Sequence, residues 1–389
     1  MSNITFTKEE LERYSRHLII PEFNIEGQKR LKAAKVLVVG TGGLGSPLLL
    51  YLTAAGIGTI GVVDFDTVDQ SNLQRQVLFT IDDVGKPKVD AAIARLSKLN
   101  PNVNFVAHNT RLTSSNAIEI ISQYDVVADG TDNFPTRYLV NDASVLAGKV
   151  NVYASIFRFE GQLSVFNYLS PETGERGPNY RDMFPVPPPP GLVPSCAEGG
   201  VIGVLPGILG SLQANEVIKV ISGVGEPLSG RFFLFDASTF ETRTLKIKRN
   251  PTNPLTGDNP TQKSLIDYVQ FCGLTPDAAE KPDVIAEIDV HELSNWIKAG
   301  ADFQLIDVRE PYEYEIANLN GKLIPLATIA DHAQVIDRDK KVVIHCRSGV
   351  RSAKAIRELR DQFGYENLIN LKGGILAYAR EIDPSLATY

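Results

Sequence analysis

A six-residue turn, Gly40-Thr41-Gly42-Gly43-Leu44-Gly45, follows directly on the apolar run Val36 to Val39. Glycines so spaced let a strand pass abruptly into a helix and let main-chain N–H groups approach an anion closely. The flanking sequence agrees. Lys35 to Val39 reads as a buried strand, and Leu44 to Ala55 as a helix ending near Gly56 and Gly58. Further strands are expected at Thr59 to Val63, Val103 to Ala107 and Asp125 to Ala128. Pro87 fits the first turn of a helix that Asn100-Pro101 stops, with Val89, Ile93 and Leu96 on one face. This alternation predicts an α/β fold built on a parallel, doubly wound sheet.

Beyond Asp132 the pattern changes. Leu163 to Phe166, Phe232 to Phe235 and Thr242 to Ile247 read as antiparallel additions to that Rossmann-like sheet, with a largely buried helix around Ile208 to Ile221. Pro171 to Cys196 includes the run Pro187 to Pro190 and is expected to be extended and mobile, unable to pair in a sheet or coil into a helix. Pro251 to Pro282 reads as a linker. A second, smaller α/β unit follows. Asp289 caps a helix through Ala299, strands lie at Phe303 to Ile306 and Lys341 to His345, and a helix runs from about Val350 with Ile356, Leu359 and Phe363 inward. At 389 residues the chain exceeds one ordinary core. We divide it into 1–250, a linker 251–284, and 285–389.

A formal charge of −7 argues against nucleic-acid binding, which needs a basic surface. The N-terminus lacks the basic start and apolar stretch of a signal peptide. Val201 to Leu209 is broken by Gly203, Pro206 and Gly207, so no membrane span is expected. Cys196, Cys272 and Cys346 form no C-x-x-C pair, which suits a reducing, cytoplasmic setting.

The glycine turn alone does not separate NAD from ATP. Asp64 ends the second strand, where an acid meets a ribose hydroxyl in such folds. Asp66, the run Ser71-Asn72-Leu73-Gln74-Arg75-Gln76 and Gly85-Lys86-Pro87-Lys88 follow. Lys86 stands just ahead of a helix start, where the macrodipole disfavours a cation by roughly 0.3–1 kcal/mol. An anion bound between them would remove that penalty; a solvated surface lysine is the alternative. Asp132, after the fourth strand, suits a metal-bound phosphate or the reacting end of a substrate.

The ordered set Arg13-Tyr14-Ser15-Arg16, Gly40 to Gly45, Asp64-x-Asp66, Asn72 to Gln76, Lys86 and Thr131-Asp132-Asn133 resembles the ubiquitin-activating-type adenylyltransferases. The closest match is the branch that activates molybdopterin synthase and the thiamine sulfur carrier. The likeness spans roughly residues 8 to 250, including Gly210-Ser211-Leu212-Gln213-Ala214. It implies that Gly40, Gly42, Gly43, Gly45, Asp64, Asp66, Asn72, Arg75 and Lys86 bind ATP, and that Asp132 meets Mg²⁺ through the nucleotide. It also implies that Arg16 reaches the neighbouring subunit's site in a homodimer. Members often carry two C-x-x-C pairs for a structural zinc. The matching places here are Asn179 and Asp182, then Asn253 and Thr256, so no structural zinc is expected and the proline-rich loop needs another fastening.

Cys346-Arg347-Ser348-Gly349-Val350-Arg351 follows Val342 to His345 and precedes a helix. Loop amides, the helix dipole and two arginines favour a thiolate. Cysteine-based phosphatases place one more residue between Cys and Arg; the tighter loop here suits a persulfide. Asp307-Val308-Arg309-Glu310, Gly373-Gly374-Ile375 and Ile382-Asp383-Pro384 join it in resembling rhodanese domains over about residues 285 to 389. The resemblance makes Cys346 the sulfur carrier, with Arg347 and Arg351 beside it and Arg309 and Glu310 structural. Cys196 resembles the loop cysteine of the activating enzymes and is expected to be catalytic. Cys272 reads as a packed apolar group, and His345 is expected to point into the core without an acid–base role.

These readings predict ATP-dependent adenylation of the C-terminal Gly-Gly of a ubiquitin-like sulfur-carrier protein, then sulfur transfer from Cys346 to give a thiocarboxylate. The sulfur would come from thiosulfate, mercaptopyruvate or a cysteine desulfurase. The alternatives are an NAD(P)-dependent oxidoreductase with an appended thiol domain, and a regulator whose C-terminal unit only binds partners.

Overall fold

In Lys35–Val39 (β1) every residue after Lys35 is buried. Val36 and Val38 enter one apolar cluster, Leu37 and Val39 another. A strand apolar on both sides must be covered on both, as in a doubly wound sheet. The computed structural model describes residues 4–189, 199–274 and 285–389. The chain forms two units, Met1–Pro276 and Asp277–Tyr389.

In the first unit β1 is joined by Thr59–Asp64 (β2), Asn104–Asn109 (β3), Val126–Asp129 (β4), Val150–Phe157 (β5), Glu160–Phe166 (β6), Arg231–Asp236 (β7) and Thr242–Lys246 (β8). Their order is β3-β2-β1-β4-β5-β6-β7-β8. Pairing is parallel as far as β5 and antiparallel from β5 to β8. Helices Gly45–Ala55 and Lys88–Leu99 cover one face through Leu48, Leu52, Val89 and Leu96. Ala117–Ser122 and Phe134–Leu146 cover the other through Ile120, Ile121, Leu139 and Val140. Leu205–Ser222, starting slightly earlier than expected, packs on the antiparallel half through Leu205 and Leu209.

Two expectations meet a different structure. Within the proline-rich stretch, Tyr180–Met183 is a short helix capped by Asn179. Tyr180 and Arg181 are buried there, because an aromatic cluster and a buried carboxylate give this turn partners that proline content does not reveal. The stretch read as a linker is fastened to the first unit as far as Cys272. Tyr268 and Cys272 are buried in its second cluster, and the Tyr268 hydroxyl donates to Asp142 at 2.8 Å.

The second unit holds Glu287–Ile288 (β9), Phe303–Asp307 (β10), Lys322–Leu323 (β11), Lys341–His345 (β12) and Leu368–Leu371 (β13). They form one parallel sheet in the order β11-β10-β12-β13-β9. Val342 and Ile344 face the helix Val350–Phe363, and Val343 faces the side of Val290–Lys298. Ile356 and Leu359 are buried as expected, whereas Phe363, in the last turn, stays 36% exposed. Among the described residues no helix is long and apolar enough to cross a membrane.

Candidate active sites

The glycine turn lies where the strand order reverses, between β1 and β4, the place at which open α/β sheets leave a crevice. Gly40 adopts φ +94°, and a Cβ on Gly45 would stand 2.0 Å from the Gly40 carbonyl oxygen. The turn closes only with glycine at both places. Asp64, at the end of β2, reaches back to it. Its Oδ2 accepts from the Thr41 N–H at 2.8 Å and the Thr41 hydroxyl at 2.7 Å. Thr41 was not singled out in the sequence, since its partner lies a full β-α-β unit away.

The charged residues downstream are already partnered. Asp66 accepts from Lys88 at 3.1 Å, a lysine sequence reasoning passed over. Lys88 is buried at its helix start, so the Asp66 carboxylate supplies the negative charge that position favours. Lys86 lies 3.3 Å from Asp83, which likewise offsets part of the dipole penalty. Arg75 donates to the Ser71 carbonyl at 3.1 Å, and Asn72 caps the turn Gln70–Asn72 through the Asp69 N–H at 3.3 Å. Arg16 is exposed on Ser15–Leu18.

Asp132 stands exposed past the end of β4, with Asn133 donating to one oxygen at 3.2 Å. Asn133 in turn caps the helix Phe134–Leu146 through the Thr136 N–H at 3.0 Å. Beneath them Asp129 is fully buried and accepts from the Thr131 N–H and hydroxyl at 3.0 and 2.6 Å. Burial pushes its pKa up to about 6, against the opposing pull of Thr131 and Arg137. Gln213, in the middle of its helix, ties β4 to β5 by donating to the Asp129 and Val152 carbonyls at 2.8 Å each.

The four residues at the would-be zinc positions bond to one another and to their own backbone. Asn179 donates to the Thr256 hydroxyl at 2.9 Å, and Asn253 donates to Asn179 at 3.3 Å. Asp182 accepts from the Asn179 N–H at 2.7 Å and the Asn250 N–H at 2.8 Å. Behind this knot Arg181 meets the buried Asp142 at 2.6 and 3.0 Å, and Gln262 and Tyr268 complete the carboxylate's shell. The knot joins the turn after Pro178 to the segment after Arg249. Cys196 lies outside the described residues.

In the second unit Cys346 follows directly on β12 and is 1% exposed. Its Sγ accepts from the Gly349 N–H at 3.1 Å and from the Ser352 hydroxyl at 3.4 Å. The loop is held from behind, where Ile375 and Leu376 donate N–H groups to the Cys346 and Arg347 carbonyls at 2.9 and 3.1 Å. A Cβ on Gly374 would lie 2.5 Å from both carbonyl oxygens, so this packing requires glycine. Arg351 makes a bidentate pair with Glu313 at 2.6 and 2.7 Å. Burial would raise Glu313, but Arg351 outweighs it and holds the carboxyl below its ordinary range. Arg309 clasps Asp307 in β10 at 2.9 and 2.5 Å. Glu310 caps the helix Pro311–Ile316.

His345 is fully buried, 3.6 Å from Asp307. Burial drives its pKa down to about 4; Arg309 adds to the effect and Asp307 opposes it. The unfolded chain takes up this proton near ~6.5, and the folded chain only near pH 4. Stability from this group is therefore complete above that window and is lost as the pH falls through it, by roughly 3 kcal/mol. Trp296, the single tryptophan, lies in this unit and reports its unfolding. Its fluorescence midpoint in urea should fall between pH 6.5 and 4.5 more steeply in the native chain than in His345→Gln. Parallel curves would exclude the burial effect.

The ThiF family profile matches residues 14–255, and the rhodanese-like domain profile matches residues 289–381. Over 386 residues the chain is 47% identical to the probable adenylyltransferase/sulfurtransferase MoeZ of Mycobacterium tuberculosis, covering 98% of this chain and 96% of that one. Over 269 residues it is 56% identical to the sulfur carrier protein adenylyltransferase of Thermus thermophilus, covering 69% of this chain and 99% of that one. The crystal structure of E. coli MccB with MccA-N7isoASN superposes with a TM-score of 0.56 at 23% identity, over 66% of this chain and 76% of MccB, a likeness of fold.

Proposed function

The chain belongs to the ThiF family and carries a rhodanese-like domain after it, and we propose that it adenylates a sulfur-carrier protein and then delivers sulfur to it. The observation that carries this reading is the presence of a closed glycine turn and a closed cysteine loop on one chain, each fixed by its own packing. Kinship along nearly the whole length with an adenylyltransferase/sulfurtransferase supports it, and speaks against a nicotinamide oxidoreductase or a mere binding unit.

A carboxylate resists nucleophiles because its leaving group would be oxide. In this reading the carrier's C-terminal glycine carboxylate attacks the α-phosphorus of ATP, pyrophosphate leaves, and an acyl adenylate forms. The Gly40–Gly45 amides, Arg75 and Lys86 offset phosphate charge, and Asp64 holds the ribose. Asp132, exposed and with one oxygen accepting from Asn133, fits a hard cation; Mg²⁺ there would neutralise phosphate charge. Arg16 would complete the site of a second copy in a homodimer.

Cys346, loaded as a persulfide by a sulfane donor such as thiosulfate, then attacks the acyl carbon with its outer sulfur and AMP leaves. The product is an acyl disulfide. A Cys196 thiolate attacks the Cys346 sulfur, the thiocarboxylate departs with the electron pair, and a thiol reductant opens the Cys196–Cys346 disulfide. We place this chemistry in a reducing, cytoplasmic setting. Incubation with ATP, thiosulfate and candidate Gly-Gly carriers should give one carrier whose mass rises by the oxygen-to-sulfur difference. Pyrophosphate exchange driven by an amino acid and not by any carrier would overturn the reading.

A further inference from the structure

Tyr389 sits apart in sequence from every loop described above, yet it touches three of the charged residues around Cys346. The Arg347 Nε donates to its main-chain oxygen at 2.5 Å, with the guanidinium 5.6 Å from the ring centre. Its hydroxyl accepts from Arg309 and donates to Glu313 Oε1 at 3.3 Å. Glu313 is the carboxylate that grips Arg351 through both oxygens. One half-buried aromatic residue therefore reaches both loop arginines, Arg347 directly and Arg351 through Glu313.

We propose that Tyr389 is a positioning residue for sulfur transfer, holding Arg347 and the Glu313–Arg351 pair in the orientation that receives a doubly charged sulfur donor. The inference rests on the reading that Cys346 carries the sulfur. Arginine side chains have several free torsions, and ordering them only when the anion arrives weakens binding. Here the order exists beforehand. Arg351 spends one N–H of each terminal nitrogen on Glu313, and the guanidinium's planar fork presents its remaining donors in a fixed direction. Arg309, bound to Asp307 at 2.5 Å and to the Ala317 carbonyl at 2.8 Å, is an immobile post for the Tyr389 hydroxyl. Glu313 itself is anchored by the Glu310 N–H at 3.0 Å. Tyr389 thus extends a rigid network from β10 to the rim of the cysteine loop.

The test is steady-state transfer from thiosulfate to cyanide by the full chain. Tyr389→Ala should raise KM for thiosulfate about tenfold while kcat stays within about twofold, because the anion's binding is impaired and the nucleophile is not. Both variants keep the main-chain oxygen that Arg347 bonds; Tyr389→Phe also keeps the ring and loses only the hydroxyl bonds, and should raise KM about threefold. An unchanged KM in Tyr389→Ala overturns the proposal. So does a fall in kcat alone accompanied by a lower Trp296 unfolding midpoint, which would make the residue merely structural. Cys346→Ala, assayed in parallel, reports separately on the carrier of the sulfur: transfer that survives it removes the underlying reading, whatever Tyr389 does.

Discussion

Cys346→Ala is expected to abolish thiosulfate-to-cyanide transfer, a loss of more than about 10³-fold, while carrier-dependent exchange of pyrophosphate into ATP continues. The size follows from the chemistry. The sulfur carried between donor and acceptor must be covalently bound, and Cys346 is the single cysteine of its unit. Ser352, the nucleophilic side chain bonded to Sγ among the described residues, has its hydroxyl 2.6 Å from Asn370 and cannot form a persulfide. The direction of the second readout matters as much. The glycine turn, Asp64 and Asp132 belong to the other unit, so adenylation has no reason to fail with the thiol. Transfer surviving in the variant would mean that a different sulfur does the work.

The converse experiment is Asp132→Ala. Pyrophosphate exchange should fall by about 10²–10³-fold, the usual cost of removing one preorganised group that acts on developing phosphate charge. Thiosulfate-to-cyanide transfer should be untouched. Asp132 is well suited to a large effect because its helix is capped by Asn133 and its strand is pinned by Gln213, so the backbone around it does not depend on the carboxylate. Wild-type exchange in the variant would remove Asp132 from the site and leave the phosphates to Arg75 and Lys86.

Much of this was legible in the sequence because its causes are local. Runs such as Val36 to Val39 and Val342 to Ile344 are apolar on both faces, and the glycine and cysteine turns that follow them have steric needs only certain residues meet. What escaped notice is polar and long-range. β5 includes the buried Asn151, and β13 the buried Asn370, so neither reads as a clean apolar run. Asn370 is intelligible only once Ser352 and Glu287 are seen on either side of it, at 2.6 and 3.1 Å. Thr41, Lys88, Gln213 and Tyr389 are of the same kind. Each satisfies a group far away along the chain, and no spacing rule announces it. The segment after Pro251 misled for a related reason. Proline, asparagine and threonine signal a loop, and a loop it is, but its side chains are spent on the first unit.

That same segment has a practical consequence. Asn179, Asp182, Asn253 and Thr256 make a joint from amides, a carboxylate and a hydroxyl. Such a joint has no thiol to oxidise. In an enzyme that handles reactive sulfur, polysulfides or peroxide therefore find no thiolate in this joint to modify.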